Sequence, residues 1–172
     1  LTRNADEIAR RAGRGIQITL AAAKEYNADA IIGLDQIENI TDDPFSVVDD
    51  PDVEIIIELI GGYSPAKELV LKAIENGKHV ITANKALIAI HGNEIFKAAQ
   101  EKGVIVAFEA AVAGGIPIIK AVREGLAANQ IEWIAGIING TGNFILTEMR
   151  DKGRDFEDVL NEAQSLGYAE AD

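Results

Sequence analysis

Apolar residues recur along this chain in two rhythms. Short runs rich in β-branched residues, at 16–21, 53–60, 78–82 and 104–108, read as strands. Between them, apolar positions spaced by three and four predict helices at 65–76, with Leu69, Ala73 and Ile74 on one face, and at 93–102. Ser64 stands as N-cap of the first helix with Pro65 at its first position, and Gly77 and Gly103 close the two. Strands alternating with helices in this way predict a doubly wound parallel α/β sheet, and the near-continuous apolar character of 16–21 and 53–60 suits strands covered on both faces. Past Phe108 the rhythm changes to a loop of small residues at 110–115, a helix at 116–126, an alternating strand at 130–138, and helices at 143–152 and 156–166. A boundary near 108–115 therefore separates two domains, 1–108 and 109–172, the second of α+β type. No internal repeat emerges.

Composition narrows the chemistry. With 48% hydrophobic and 26% charged residues in 172, the chain can bury a core without staples. It has no Cys, which excludes disulfides, thiolate zinc sites and a cysteine nucleophile and fits a reducing cytosol, so a cytoplasmic location is expected. Its two histidines, His79 and His91, are too few and too far apart for a multi-histidine metal site. The net charge of −12, from 16 basic and 28 acidic residues, argues against nucleic-acid or anionic-membrane partners. Eleven of the acids fall between Glu25 and Glu58 with no Lys or Arg among them, the pattern of a solvated surface. No apolar run approaches the ~18 residues of a membrane span. Asn39-Ile-Thr41 and Asn139-Gly-Thr141 match the glycosylation acceptor pattern, which a chain without a secretory signal is not expected to use. Leu1 begins without a Met in what reads as the last turns of a helix closed by Gly13, and Asp172 follows Glu170 with no closing element. The expectation is an internal piece of a longer protein.

Three stretches carry candidate chemistry. Glu58-Leu-Ile-Gly-Gly62 ends a strand on two glycines, at the carboxyl edge where open α/β sheets take ligands; its plain alternative is a strand-to-helix turn. Thr82-Ala-Asn-Lys85 follows the next strand, so the Lys85 ammonium projects at the same edge, as an orienting group or a solvated charge. In Glu109-Ala-Ala-Val-Ala-Gly-Gly-Ile-Pro117, one carboxylate and exposed carbonyls suit a hard cation, or the loop is an interdomain hinge. The Gly-x-Gly-x-x-Gly fingerprint of a dinucleotide-binding sheet is not present: Gly13-Arg14-Gly15 leads into a strand, and Gly140-Thr141-Gly142 has Ile145 in place of a third glycine. If 1–12 is the end of a first helix, the fingerprint lies upstream.

Taken in order with Asn139-Gly-Thr-Gly-Asn-Phe-Ile-Leu146 and Ala163-Gln-Ser-Leu-Gly-Tyr-Ala-Glu-Ala-Asp172, these motifs resemble homoserine dehydrogenase over essentially the whole chain. The resemblance implies a Rossmann-type nucleotide-binding domain at 1–108, lacking its first strand. Part of a substrate, catalytic and dimerisation domain would follow at 109–172. It implies NAD(P)-dependent interconversion of L-homoserine and L-aspartate 4-semialdehyde in threonine and methionine biosynthesis, by a homodimer or homotetramer. Gly61 and Gly62 would line the nicotinamide cleft, Asn84 and Lys85 would face cofactor and substrate with Lys85 catalytic, and Gly140, Thr141, Tyr168 and Glu170 would bind substrate. Glu109 with the carbonyls of Val112, Gly114 and Ile116 resembles a site for a monovalent cation, Na⁺ or K⁺. The family's catalytic Asp and Lys follow shortly after the motif that stops at Asp172, and Thr or Ser usually stands where this chain has Gly142. No acid follows the strand at 16–21 before Glu25, so Lys24 is expected to tolerate the 2′-phosphate of NADP, with NAD as the other cofactor. Two other readings stay open: a related two-domain dehydrogenase of another amino-acid-derived carbonyl, and a nucleotide-binding module without turnover.

Overall fold

The computed structural model describes residues 1–27, 29, 37, 39–137 and 139–169, in two compact units, 1–125 and 126–172. The first unit opens with a short 3₁₀ turn and helix α1 (Ala5–Ala12), which Gly13 ends in the left-handed conformation. Strand β1 (Leu20–Ala22) pairs in parallel with β2 (Asn39–Thr41). Strands β3 (Ile55–Glu58), β4 (His79–Thr82) and β5 (Val106–Ala107) form a second parallel sheet in that order, with Ile55 opposite His79 and Glu58 opposite Thr82. The parallel α/β architecture is of the Rossmann type predicted by the alternating pattern.

Helix α3 (Ala66–Glu75) buries Ala66, Leu69, Val70, Ala73 and Ile74, a stripe at the helical spacing of three and four. Helix α4 (Lys85–Lys102) adds Leu87, Ile95 and Ala99, and the two helices close over Ile56, Val80 and Val106 of the sheet. Val48 joins this core from α2 (Pro44–Asp49), a short helix capped by Asp43 with Pro44 at its start. The Lys78 side chain, 5% exposed, donates to the carbonyls of Asp50 and Val53 and so ties the end of α2 to the start of β4.

Several expectations need correction. The strand at 16–21 is paired only from Leu20, because the ladder starts where β2 supplies a partner; Ile16 and Ile18 lie exposed before it. Ser64 does not cap α3: Pro65 holds that position, and the Ser64 hydroxyl turns to Glu68. Helix α4 starts eight residues earlier than predicted, since Asn84 caps it and buried Gly92 lies within it rather than breaking it. Only one face of β3 and β4 is covered among the described residues; Ile55, Ile57 and Ile81 on the other face stay exposed. The helix expected at 116–126 is a short α5 (Ile118–Lys120) running into a π-helical turn, Ala121–Gly125.

The second unit is a helical hairpin. Helix α6 (Gly140–Lys152) ends at Gly153 and α7 (Phe156–Ser165) follows, with Ile145, Val159 and Ala163 buried between them. No strand forms at 130–137 among the described residues, where Trp133, Ile134 and Ile137 are exposed. Alternation marks a face, but a strand also requires a neighbour for its N–H and C=O groups.

Candidate functional site

The carboxyl ends of β3 and β4 meet in a closed circuit of hydrogen bonds. Alternation along β3 places Ile56 and Glu58 on the buried side, so a carboxylate, 3% exposed, ends the strand inside the fold. Its Oε1 accepts the N–H groups of Ile60 at 2.8 Å and Gly61 at 3.3 Å. The hydroxyl of Thr82, its partner across the ladder, donates to Oε2 at 2.6 Å and accepts the Asn84 N–H at 3.0 Å. Asn84, 6% exposed, donates from Nδ2 to the Gly62 carbonyl at 2.7 Å and accepts the Leu87 N–H through Oδ1, capping α4. Gly61 and Gly62 have φ of 81° and 67°, a conformation open to glycine at little cost, and a Cβ built on either would meet nothing within 4 Å. Their backbone is therefore bare and approachable. Lys85, the first residue of α4, is exposed beside this loop pair in sequence. The structure thus brings together Gly61, Gly62 and Asn84, and sets Lys85 at the adjoining helix start.

Lys24 is exposed two residues past β1. Arg14, six residues before β1, pairs with Glu54, on the segment entering β3. The cleft of about 720 Å³ lined by Arg14, Glu54, Lys78 and His79 opens on that entering side. Parallel sheets take ligands at the carboxyl ends, and the glycine pair lies there, so this cleft is not the candidate site.

Glu109 meets α5. Its two carboxylate oxygens accept the N–H groups of Ile119 and Lys120, each at 2.9 Å, where a helix start favours negative charge. Ala113, Gly114 and Gly115 all have positive φ, and the Ile116 carbonyl accepts from Ile118. In the second unit, the Asn139 side chain caps α6 through the Gly142 N–H at 2.7 Å, and the Thr141 hydroxyl donates to the Tyr168 carbonyl. The Tyr168 ring packs edge-on against Phe144 at 5.2 Å. Gly140, Thr141 and Tyr168 thus converge where α6 begins and α7 ends; Glu170 lies outside the described residues. A Cβ at Gly142 would meet Asn139 Oδ1 at 3.5 Å, ordinary contact, so the position has room for one.

The family model for the homoserine dehydrogenase NAD-binding domain matches residues 2–109, and that for homoserine dehydrogenase matches 117–172. The chain belongs to the homoserine dehydrogenase family. It is 69% identical over 172 residues to a homoserine dehydrogenase of Pseudomonas aeruginosa and 60% identical over 169 residues to one of Neisseria gonorrhoeae. These matches cover 100% and 98% of this chain but 39% and 38% of those proteins, so the chain spans about two fifths of the length of these relatives. The crystal structure of a homoserine dehydrogenase from Thiobacillus denitrificans superimposes with a TM-score of 0.89 at 66% identity, over all of this chain and 39% of that one. A hyperthermophilic archaeal homoserine dehydrogenase in complex with NADPH is similar at a TM-score of 0.67 and 29% identity, over 99% of this chain and 48% of that one.

Within this homoserine dehydrogenase edge, motif reading singles out the glycines and Lys85 but assigns nothing to Glu58 or Thr82. The signal was available: counting by twos from Ile56 puts Glu58 on the buried face, and a polar residue at a core register of a strand asks for a partner.

Proposed function

We propose that this chain supplies the nicotinamide-facing edge and part of the substrate pocket of a homoserine dehydrogenase that interconverts L-homoserine and L-aspartate 4-semialdehyde. It would work in the cytoplasm as a homodimer or homotetramer, with NADP or NAD. The observation that carries the reading is the pair of bare glycines ending β3, tied through Asn84 to the helix start that bears Lys85.

The residues present fit one end of the cofactor. A flat ring would lie against exposed Gly61 and Gly62, which carry no side chain of their own. The diphosphate cradle of a Gly-rich fingerprint is not among these 172 residues. The nicotinamide, when bound, supplies the hydride exchange. The chain's own part is electrostatic: the Lys85 ammonium orients the reacting oxygen and stabilises the negative charge that develops on it. Lys24 accommodates a 2′-phosphate. In the other unit, the Thr141 hydroxyl, the N–H groups at the start of α6 and the Tyr168 segment hold the polar ends of the substrate, and Glu170, outside the described residues, is the proposed partner of its ammonium. Glu109 and the carbonyls of Val112, Gly114 and Ile116 are all oxygen donors, which suits Na⁺ or K⁺.

The test uses a polypeptide of the relatives' full length carrying this sequence, assayed for homoserine oxidation with NADP⁺ and with NAD⁺. Lys85→Met is expected to lower kcat by about 10²-fold or more, the usual worth of a positioned proton-handling or charge-stabilising group. Buffer free of Na⁺ and K⁺ is expected to lower activity in the same assay. Undiminished turnover by Lys85→Met would remove the lysine from the mechanism, and absence of homoserine oxidation by the unmodified protein would remove the reading itself.

A further inference from the structure

Glu58 and Thr82 are buried polar groups that the reaction as described does not use. Enclosing a carboxylate is costly unless its oxygens are satisfied, and an apolar side chain would fill the same position at the end of β3 more cheaply. The donors satisfying Glu58 explain why it is there. Two are the N–H groups of Ile60 and Gly61, residues exposed in the loop beyond β3, so the carboxylate does not serve an amide of the core. It holds an exposed loop instead. The third is Thr82, whose hydroxyl also receives the Asn84 N–H, and Asn84 returns to Gly62. The circuit from Glu58 through Gly61, Gly62, Asn84 and Thr82 back to Glu58 joins the two loops at the sheet edge, and Asn84 extends it to the start of α4.

We infer that Glu58 and Thr82 are positioning residues for the dinucleotide: they lock the Gly61–Gly62 backbone against the Asn84 cap, so that the cofactor meets a ready-made face. The inference rests on the nicotinamide-edge reading above. A surface ordered before binding spares the complex the cost of ordering it, so loosening the circuit weakens cofactor binding specifically.

The experiment titrates NADPH and NADP⁺ into the full-length protein and its Thr82→Val, Thr82→Ser and Glu58→Gln variants, and measures Tm and the homoserine KM alongside. Thr82→Val is expected to raise the dinucleotide Kd about tenfold, the scale of one buried hydrogen bond. Homoserine KM is expected to change less than twofold. Thr82→Ser, which restores the hydroxyl but not the methyl, is expected to recover wild-type affinity. If Thr82→Val fails to fold, Glu58→Gln carries the same expectation: with its amide oxygen held by the Ile60 and Gly61 N–H groups, its NH₂ faces Thr82 and cannot accept the hydroxyl proton. A Kd unchanged in Thr82→Val or Glu58→Gln while Tm falls would make the circuit a plain structural contact and overturn the inference. Failure of Thr82→Ser to recover affinity would overturn it too. Weakened NADPH binding in a protein that does not oxidise homoserine would leave the inference standing and refute the activity. An unmodified protein that binds neither nucleotide would refute both.

Discussion

The two units of this chain hold their candidate residues in place by different means. In the first, a core drawn from three strands and three helices supports a sheet edge on which Glu58, Thr82 and Asn84 are buried and hydrogen-bonded, with Lys85 exposed beside them. In the second, three buried residues lie between two helices, whose starting end is held by one helix cap and one hydroxyl-to-carbonyl bond and whose other end is held by ion pairs near the surface. Positional precision has to come from somewhere. A large apolar core makes buried polar circuits affordable, whereas a hairpin with a small core depends on the local chemistry of its helix ends.

The largest expected effect tests that contrast in the cores. Leu87 has 0% exposure and packs where α4 covers the sheet, so Leu87→Ala is expected to cost about 2–5 kcal/mol, read as lost hydrogen-exchange protection in β3 and β4. Ile145→Ala removes as much side chain from the hairpin, but its neighbours there are few and two helices can settle toward each other. It is expected at the low end of that range, about 2 kcal/mol, read in α6 and α7. A cost at Ile145 equal to or above that at Leu87 would break the comparison.

The same contrast explains how much could be read from sequence. Segments β3, α3 and β4 were legible because apolar β-branched runs and a spacing of three to four coincide with burial in this core. The acidic stretch hid β2 and α2, although Asp43-Pro44 is a helix-start signal. The helix was expected only from Asn93, yet Gly92 lies inside α4, where a Cβ would come within 3.3 Å of the Phe96 ring, so the glycine serves packing there. At 130–138 the alternation was real and the inferred strand was not found at 130–137, because periodicity reports a face and says nothing about a partner. For the site, glycines and a lysine at strand ends stood out as motifs. The circuit joining them did not, since Glu58 and Thr82 gain meaning only when two strands 24 positions apart come into register.

A middle-sized effect is expected at the cap of α6. Asn139 accepts the Gly142 N–H, and the first turn it closes is Gly140-Thr141-Gly142, two of whose three residues are poor helix formers. Asn139→Ala is expected to cost about 1 kcal/mol and to fray that first turn, while Asn139→Asp, which keeps the acceptor, costs much less. Helix-start amide exchange is the measurement. If the first turn of α6 exchanged no faster in Asn139→Ala, the order of that turn would come from something other than its cap.

The smallest effect is acid sensitivity, and it too should differ between the units. The Lys152 ammonium, 2.7 Å from Glu148, holds that carboxyl below the ordinary glutamate value of 4.5, and the Arg154 guanidinium adds to this while partial burial opposes it. Arg154 also reaches Glu162 on α7, so the cluster ties one helix of the hairpin to the other. A carboxyl whose value is lowered on folding binds protons more readily when unfolded. Its stabilising share is therefore complete above the ordinary carboxylate range, and it disappears as pH falls through 4.5 and on to the lowered folded value. In the first unit, Lys67 lowers Glu94 in the same direction, at 2.9 Å between α3 and α4, but over a core that does not depend on it. Lowering the pH from about 7 to 3 is therefore expected to loosen α6 and α7 before α3 and α4, as followed by amide exchange. Glu148→Gln is expected to remove most of that early loss by making the hairpin weaker at neutral pH and flatter in its response to acid. Salt should mimic the variant only in part, because Lys152 is exposed and screened while Arg154 is largely enclosed. If both units loosened together, or if Glu148→Gln kept the full acid response, the hairpin's reliance on its ion pairs would be refuted.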